Sequence, residues 1–479
     1  MKIKLDGEDS RSLQPGALNI ADVIFMVVAV SAPLGVVVAL QPIAFAYGNG
    51  AGVPGAYVIT TIALFLFALG YVKIIPYIKN AGAFYAYIAA GLGKGLGLAS
   101  AYVAALSYAA LSASTLAAGG FFAMDIFRSL TGIETNWAIW AVGATLAVFV
   151  FAYLRITLAA KVLAVLLVLE LFLLLALDIA ILLKAGPVSY DLVDFSRGAV
   201  FSAGLGIAVL YGFSSMIGIE STAIYQEEVR DRKRTIPLAT FAALFLAGGF
   251  YVLTSWSLST AVGSSEVAAV AVADPGHFVF GIAETYLGGW VTWVLSVLVL
   301  TSLFAASLGL YNNAARYLFA LARDGVLPGA IAKTHPQHHS PYRATILLGL
   351  ATLAVMIGAG ALGLDPLLNI TPALVGIGSV GLMGLLTLTS AAIPVFFLRR
   401  GEYSLSKTAA PVLGGIIILI ATYTAVTNYG ALTGVDDPLI NGLIWVVPIV
   451  FIIGLVQAAI VHSLDADRFE LFGRSRIEE

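Results

Sequence analysis

The chain has 479 residues, 60% of them hydrophobic and only 11% charged. Soluble globular domains carry about 25% charged residues, so this composition excludes one and implies lipid contact over most of the length. A formal net charge of −2 gives no electrostatic ground for a nucleic-acid partner, and the lack of cysteine excludes disulfides and thiolate metal sites while leaving the redox compartment open.

In chain order, the polar stretch 1–18 runs directly into apolar sequence with no small-residue cleavage site, and reads as a cytoplasmic tail rather than a signal peptide. A membrane helix needs about 20 mainly apolar residues. Twelve segments qualify: 19–47, 54–77, 95–124, 137–155, 158–184, 199–225, 237–262, 290–320, 343–362, 372–398, 410–430 and 440–463. With the N-terminus inside, every Lys and Arg except Arg128, Lys184 and Arg197 lies on the cytoplasmic side. That bias sets orientation and requires an even number of spans, with both termini cytoplasmic and the protein multi-pass in the plasma membrane. Outer loops are acidic instead (Glu266, Asp274, Glu284, Asp365, Asp436, Asp437). The stretch 263–289, with Pro275 and Gly276, reads as short amphipathic helices lying over the outer mouth, or as a passive loop. The tail 464–479 closes the chain, and no polar stretch is long enough for a soluble domain.

Two spans are interrupted at matching places. Span 1 breaks at Ser31-Ala32-Pro33-Leu34-Gly35, and span 6 at Phe213-Ser214-Ser215-Met216-Ile217-Gly218. Backbone unwound at membrane depth must find partners in protein or line a wet cavity. Paired breaks in corresponding helices are a sequence sign of a midplane binding site between two inverted repeats. The expected fold is therefore an all-α integral membrane protein of 12 transmembrane helices. It has a 5+5 inverted repeat (19–184 and 199–398), broken helices 1 and 6, and two C-terminal helices (410–463).

The stretch Gly218-Ile-Glu-Ser-Thr-Ala-Ile-Tyr-Gln-Glu-Glu-Val-Arg-Asp-Arg-Lys-Arg-Thr-Ile-Pro237 resembles the sixth helix and following loop of the amino acid–polyamine–organocation (APC) superfamily of permeases. Asn80-Ala-Gly-Ala-Phe-Tyr-Ala-Tyr87 is similar to that family's element after span 2. Asn313 to Pro328 is similar to the inner end of its span 8. The resemblance covers about residues 15–465 and implies a secondary transporter working by alternating access, not an enzyme. Its cargo would be a small amino acid or related organic cation, with a proton or Na⁺ as coupling ion and no other cofactor. One departure stands out: the family's first break is usually Gly-x-x-x-Gly, whereas here Pro33 removes an N–H donor. This leaves a polyamine or amine importer or exchanger of the same fold as an alternative. A channel or transport-like sensor is the alternative of a different class, although spans 3, 8 and 10 look too apolar for a continuous polar lining.

For an amino acid zwitterion, the carboxylate would meet amides near Leu34, Gly35 and Val36, beside Ser31 and Ala32, favoured by the half-helix dipole. The ammonium would meet carbonyls of Phe213, Ser214 and Met216 near Gly218. Phe213, Met216 and Ile217 either shape the side-chain pocket or pack between helices. Glu220 either neutralises a substrate amine or holds the unwound backbone, because an ionisable group at this depth needs a partner. Glu170, in the middle of span 5, is expected to couple transport to a proton, since desolvation disfavours a carboxyl's charged form. The resemblance points the same way, because some relatives carry a lysine at what looks like this place. The plain alternative is a polar contact between spans. Asp178, two turns further out, reads as an interfacial charge. Ser31 and Ser307 either bind an ion or pack, and Glu227, Glu228 and Arg230 to Arg234 either gate the inner side or are solvated.

Two patterns carry no function. Gly358-Ala-Gly-Ala-Leu-Gly363 has the dinucleotide spacing without a strand. His335, His338 and His339 sit in a loop without a carboxylate at helical spacing, and no metal site is expected. Oligomeric state is not legible.

Overall fold

The computed structural model describes residues 19–78, 84–154, 157–186, 189–220, 222, 229, 231–338, 340–433, 437–465 and 469. The tails, the 2–3 loop at Asn80, and Glu227, Glu228, Arg230 and His339 lie outside these residues.

Every regular element long enough to cross a membrane is helical. The first span is three helices in line, α1 (Ile20–Ser31), α2 (Pro33–Ala39) and α3 (Gln41–Tyr47). Then come α4 (Val53–Ile74), α5 (Phe84–Leu92), α6 (Lys94–Thr131), α7 (Trp137–Leu154) and α8 (Thr157–Ala185). The second half holds α9 (Arg197–Val200), α10 (Leu205–Ser215), α11 (Arg232–Val262), α12 (Val267–Ala273), α13 (Phe278–Leu287), α14 (Trp290–Arg323), α15 (Tyr342–Ala361) and α16 (Thr371–Arg399). The chain ends with α17 (Ala409–Thr427), α18 (Tyr429–Thr433), α19 (Pro438–Gly442) and α20 (Val446–Leu464). Among the described residues ten helices are long and apolar enough to cross a membrane, and the segments expected as spans 1 and 6 hold the shorter apolar helices Pro33–Tyr47 and Leu205–Ser215. Span 6 starts later than the hydropathy suggests. Gly204 takes a left-handed turn (φ 87°) at the N-cap of α10 and lets its backbone touch Gly48, tying α10 to the end of α3.

The halves pack with repeat-related partners side by side: α4 on α11, α6 on α14, and α7 on α15. Burial places α6 at the centre, 78% buried, and α20 at the rim, 17% buried. Helix α8 shows the membrane logic: Leu174, Leu177 and Ile181 are buried, while Leu169, Phe172 and Leu175 face outward and are equally apolar. With lipid as the solvent, apolar residues mark no inside, and polar groups turn inward instead. Buried hydroxyls close onto carbonyls of their own helix, as in Thr60 to Ala56 (3.0 Å) and Thr145 to Ala141 (2.7 Å).

The stretch 263–289 forms α12 and α13, bent 113° from each other. Helix α12 packs on α3, and Phe278 of α13 meets Phe45 (ring centroids 5.8 Å). The pair thus covers one mouth of the bundle, as the sequence suggests. We call this the cap face, and the opposite one, with Arg316, Arg323, Arg399 and Arg400, the basic face.

Glycines set the closest crossings. A Cβ on Gly91 of α5 would coincide with the Ala392 backbone of α16, whereas one on Gly249 of α11 would meet open space. Gly91→Ala should lower the thermal unfolding midpoint in detergent, with about 1–3 kcal/mol of overpacking. Gly249→Ala should hold or raise it through helix propensity of about 0.5–1 kcal/mol. Equal midpoints for the two variants would show that this crossing is not close-packed.

Candidate functional site

The first break is a single residue. Ala32 adopts φ 44°, the only positive φ outside glycine among the described residues, and Pro33 opens α2 behind it. Such strain persists where surroundings over-determine it, as at binding sites. Pro33 brings no N–H to satisfy, and the next amides are all engaged. Leu34 N–H donates to the Glu170 carboxylate, Gly35 N–H to Ser302 Oγ (3.2 Å), and Val36 N–H to the Ala32 carbonyl (2.9 Å). Ser302 Oγ in turn donates to Glu170 Oε2 (2.7 Å). The last carbonyl of α1, on Ser31, accepts from the Tyr251 hydroxyl of α11 (3.2 Å). Glu170 is 2% exposed and joins α8, α14 and the start of α2.

The second break follows α10. Met216 N–H and Ile217 N–H turn back to the carbonyls of Phe213 (3.1 Å) and Ser214 (3.4 Å), and Gly218 takes φ 116°. Glu220 holds the unwound chain: Oε2 accepts from Gly218 N–H (2.9 Å) and Oε1 from the Tyr108 hydroxyl (2.7 Å). Its own carbonyl accepts from the Tyr71 hydroxyl (2.7 Å). Around it Tyr71, Tyr85, Tyr87, Tyr108 and Tyr317 are all buried, with Tyr108 stacked on Tyr317 (5.7 Å). These rings seal the basic face.

Between the breaks and the cap lies a cavity of about 50 Å³, set within about 520 Å³ of unfilled space that includes open solvent. Helix α2 supplies Gly35 and Val36, α6 supplies Leu111 and Thr115, α14 supplies Leu303 and Leu310, and α16 supplies Thr371 and Val375. None of the lining residues is charged. Its hydroxyls already bond backbone carbonyls, Ser31 to Val28 (2.8 Å) and Thr115 to Ser112 (2.8 Å). A hydroxyl keeps two acceptor lone pairs and can swing its proton to a ligand.

Of the residues singled out in the sequence, Ser31, Ala32, Gly35, Val36 and Ser214 line this cavity, together with Ile217. Leu34, Phe213, Met216, Gly218 and Glu220 do not. Leu34 and Phe213 turn into helix packing, and the Met216 sulfur accepts from Thr61 Oγ1 (3.9 Å). The carboxylate cradle expected at the amides of Leu34, Gly35 and Val36 needs correcting, because each of those donors has an internal partner. The carbonyls of Phe213 and Ser214 differ, since a carbonyl has two lone pairs and retains one. Glu220 takes the backbone-holding alternative. Ser31 and Ser307 do not converge: Ser307 Oγ pairs with Ser112 Oγ (2.9 Å). Among the described residues, no group of three or more His, Asp or Glu could hold a metal. The α6, α14 and α16 contributions were not anticipated, because spans that are apolar all round show no preferred face.

A family profile described as amino acid permease matches residues 18–456. The branched-chain amino acid permease BcaP of Bacillus subtilis is 23% identical over 85% of this chain and 85% of its own. The methylthioribose transporter of the same organism is 29% identical over 33% of this chain and 35% of its own. A vacuolar cationic amino acid transporter of Arabidopsis thaliana is 29% identical over 36% of this chain and 28% of its own. Among solved structures, MhsT in complex with L-phenylalanine aligns with 86% of this chain and 100% of its own, at a TM-score of 0.57 and 17% identity. It shows a shared fold.

The cap is fastened to α6 by one imidazole. His277 Nε2 lies 3.0 Å from Asp125 Oδ2, and Nδ1 lies 3.0 Å from Asp274 Oδ2. The hydrogen bond to Asp125, with the two carboxylate charges, pushes its pKa up to about 9 against some desolvation. A raised histidine pKa means the contact is fully present below the free value of about 6.5. It is lost as pH rises through about 9. NMR of ¹³C-labelled histidine, assigned with His277→Gln, should show His277 titrating near that value, and Asp125→Asn should return it toward about 6.5. A wild-type midpoint near the free value would show that the latch is not charged.

Proposed function

The chain belongs to the amino acid permease family, and from that premise we propose that it imports a small neutral amino acid with an apolar side chain, driven by a proton. It would work in the plasma membrane with the basic face inside and the cap face outside, as the Lys and Arg distribution favours. The carrying observation is the cavity at the two breaks, which holds no charged side chain. A cationic side chain buried there would lack a counter-charge, a cost of several kcal/mol. An apolar one gains about 0.8 kcal/mol per buried CH₂ against Leu111, Ile217, Leu303, Leu310 and Val375. The named specificity of the Bacillus branched-chain relative agrees.

The substrate ammonium takes the spare lone pair of the Ser214 carbonyl, and the carboxylate takes hydroxyl protons from Ser31 and Thr115. The tyrosine seal closes the inner path while the cap side admits substrate. Transport then exchanges which side is sealed, one repeat rocking against the other. Glu170 couples the proton. Ionised, it accepts from both Leu34 N–H and Ser302 Oγ. Protonated, it gives up acceptor capacity, and the start of α2 is freed from α8 and α14. Proton occupancy therefore biases the position of the broken helix.

The amine-importer reading would need a free carboxylate in the cavity, and Glu220 is filled by Gly218, Tyr108 and the fold of its own chain. Glu220→Gln should therefore weaken binding of neutral and cationic probes alike and lower the unfolding midpoint. A loss confined to amines would favour that reading instead.

Thermal-shift titration at pH 5.5 and 7.5 tests the cargo. Leucine, valine or alanine should stabilise the purified protein more than lysine or putrescine, and stabilisation by the cations alone would overturn the proposal. In proteoliposomes, Glu170→Gln should retain exchange yet lose accumulation driven by a pH gradient. The bias lost corresponds to about one charge-assisted hydrogen bond, about 1.5–3 kcal/mol. Undiminished gradient-driven accumulation would remove Glu170 from the coupling role.

A further inference from the structure

Sequence alone assigns Asp178 no more than an interfacial charge, yet its carboxyl is 3% exposed and turned into the seam between α8 and α11. Oδ2 accepts from Thr254 Oγ1 (2.9 Å), and Oδ1 has no hydrogen-bond partner. Ser257, one turn along α11, lies against the same carboxyl, and its hydroxyl pairs with the Tyr190 hydroxyl (3.0 Å). Tyr190 is half-buried at the cap face. On the other side of Asp178, Tyr251 lies one turn before Thr254 on α11 and bonds the Ser31 carbonyl at the first break. Glu170 sits on the same side of α8, eight residues and about 12 Å below.

Among the described residues no cation is paired with this carboxyl. Lys184, further along the same helix, donates to the Thr285 carbonyl (3.2 Å). The titratable group facing Asp178 from a neighbouring segment is Tyr190, in the loop after α8, which in turn lies near Tyr286 of α13; Tyr251 of α11 lies nearer Glu170. The segments of α2 and of α14 packed along α8 contain no Asp, Glu, Lys or His. Asp194, also buried, lies by Ser259, two residues from Ser257 and so on another side of α11. A purely structural carboxyl would be expected to fill both oxygens. An open acceptor at the end of a hydroxyl chain that reaches the surface is instead a place for a proton to arrive.

We propose that Asp178 is a second proton-binding site, which loads from the cap face through Tyr190 and Ser257 and supplies Glu170 along the α8–α11 seam. This rests on the reading of Glu170 as the coupling carboxyl. Each hydroxyl takes one proton and passes on its own, so Tyr190 and Ser257 end unchanged while Asp178 Oδ1 gains the proton. Asp178 returns to the carboxylate when Glu170 receives it. Leu174, buried between the two carboxyls, keeps them from sharing one proton continuously, so transfer waits on movement of the seam.

The test compares two assays in proteoliposomes with leucine, or whichever neutral amino acid the thermal-shift titration selects. Asp178→Asn should leave substrate exchange near wild type, because exchange moves no net proton. It should reduce accumulation driven by an external acid pH toward that of protein-free vesicles and flatten its pH profile, and Asp178→Glu should restore both. Tyr190→Phe removes one hydroxyl at the surface end and should slow gradient-driven uptake without altering exchange, which keeps the test decisive if Asp178→Asn unfolds. Wild-type pH profiles in Asp178→Asn or Tyr190→Phe, with Glu170→Gln uncoupled, would overturn the relay and leave Glu170 in place. Coupled transport in Glu170→Gln would instead remove the premise. Equal loss of exchange and accumulation in Asp178→Asn, unrestored by Glu, would make the residue structural and also overturn the proposal.

Discussion

Peptide groups stripped from a helix in the middle of a bilayer have no water to turn to, and most of this architecture answers that single demand. Each break is held by a carboxylate from within the chain. Glu170 reaches across from α8 to the start of α2, and Glu220 folds back on the turn after α10. Tyrosine hydroxyls take the carbonyl side of each break: Tyr251 on Ser31 and Tyr71 on Glu220. The scheme is alike in the two halves even though the residues are not. The two carboxylates differ in a way that separates their roles. Glu220 is bound to its own segment and to the tyrosine seal, so it moves with the break. Glu170 is on a neighbouring helix, so its bond strength decides how firmly the break is tied to the rest of the bundle.

The breaks were legible in the sequence, and the two glutamates stood out there, because each violates a local rule. Proline and glycine interrupt apolar runs, and a carboxyl stands among leucines. What was not legible follows from the same physics. Inside a membrane the solvent is as apolar as the packing face, so a stretch such as Val291–Leu310 carries no amphipathic phase to reveal that Leu303 and Leu310 line the cavity. Leu34, Phe213 and Met216 were placed in the site by adjacency in sequence, yet one helical position of rotation turns each into packing. The amides near Leu34 were expected to be free because their partners, Ser302 and Glu170, are 268 and 136 positions away along the chain, beyond any local pattern.

Pro33 makes sense in that light. A glycine-rich break leaves a row of open donors for a ligand, whereas here the row is shortened. Pro33 has no donor to satisfy, Leu34 and Gly35 are taken by Glu170 and Ser302, and Val36 is already intrahelical. The half-helix therefore meets the cavity with its hydrogen bonds complete. In the binding mode proposed above, the substrate's carboxylate would meet hydroxyls, which can redirect a proton without breaking a helix.

This completeness bears on coupling. If substrate displaced Ser302 or Glu170 directly, binding would have to break two bonds, and each group left unsatisfied would cost about 1–3 kcal/mol. A proton arriving at Glu170 weakens the same contacts without leaving a charge unpaired, and so releases the start of α2 at lower cost. The order in which proton and substrate act is thus set by which of them can open the break more cheaply. With an uncharged cavity wall and an internally satisfied helix start, the coupling proposed above would make that the proton.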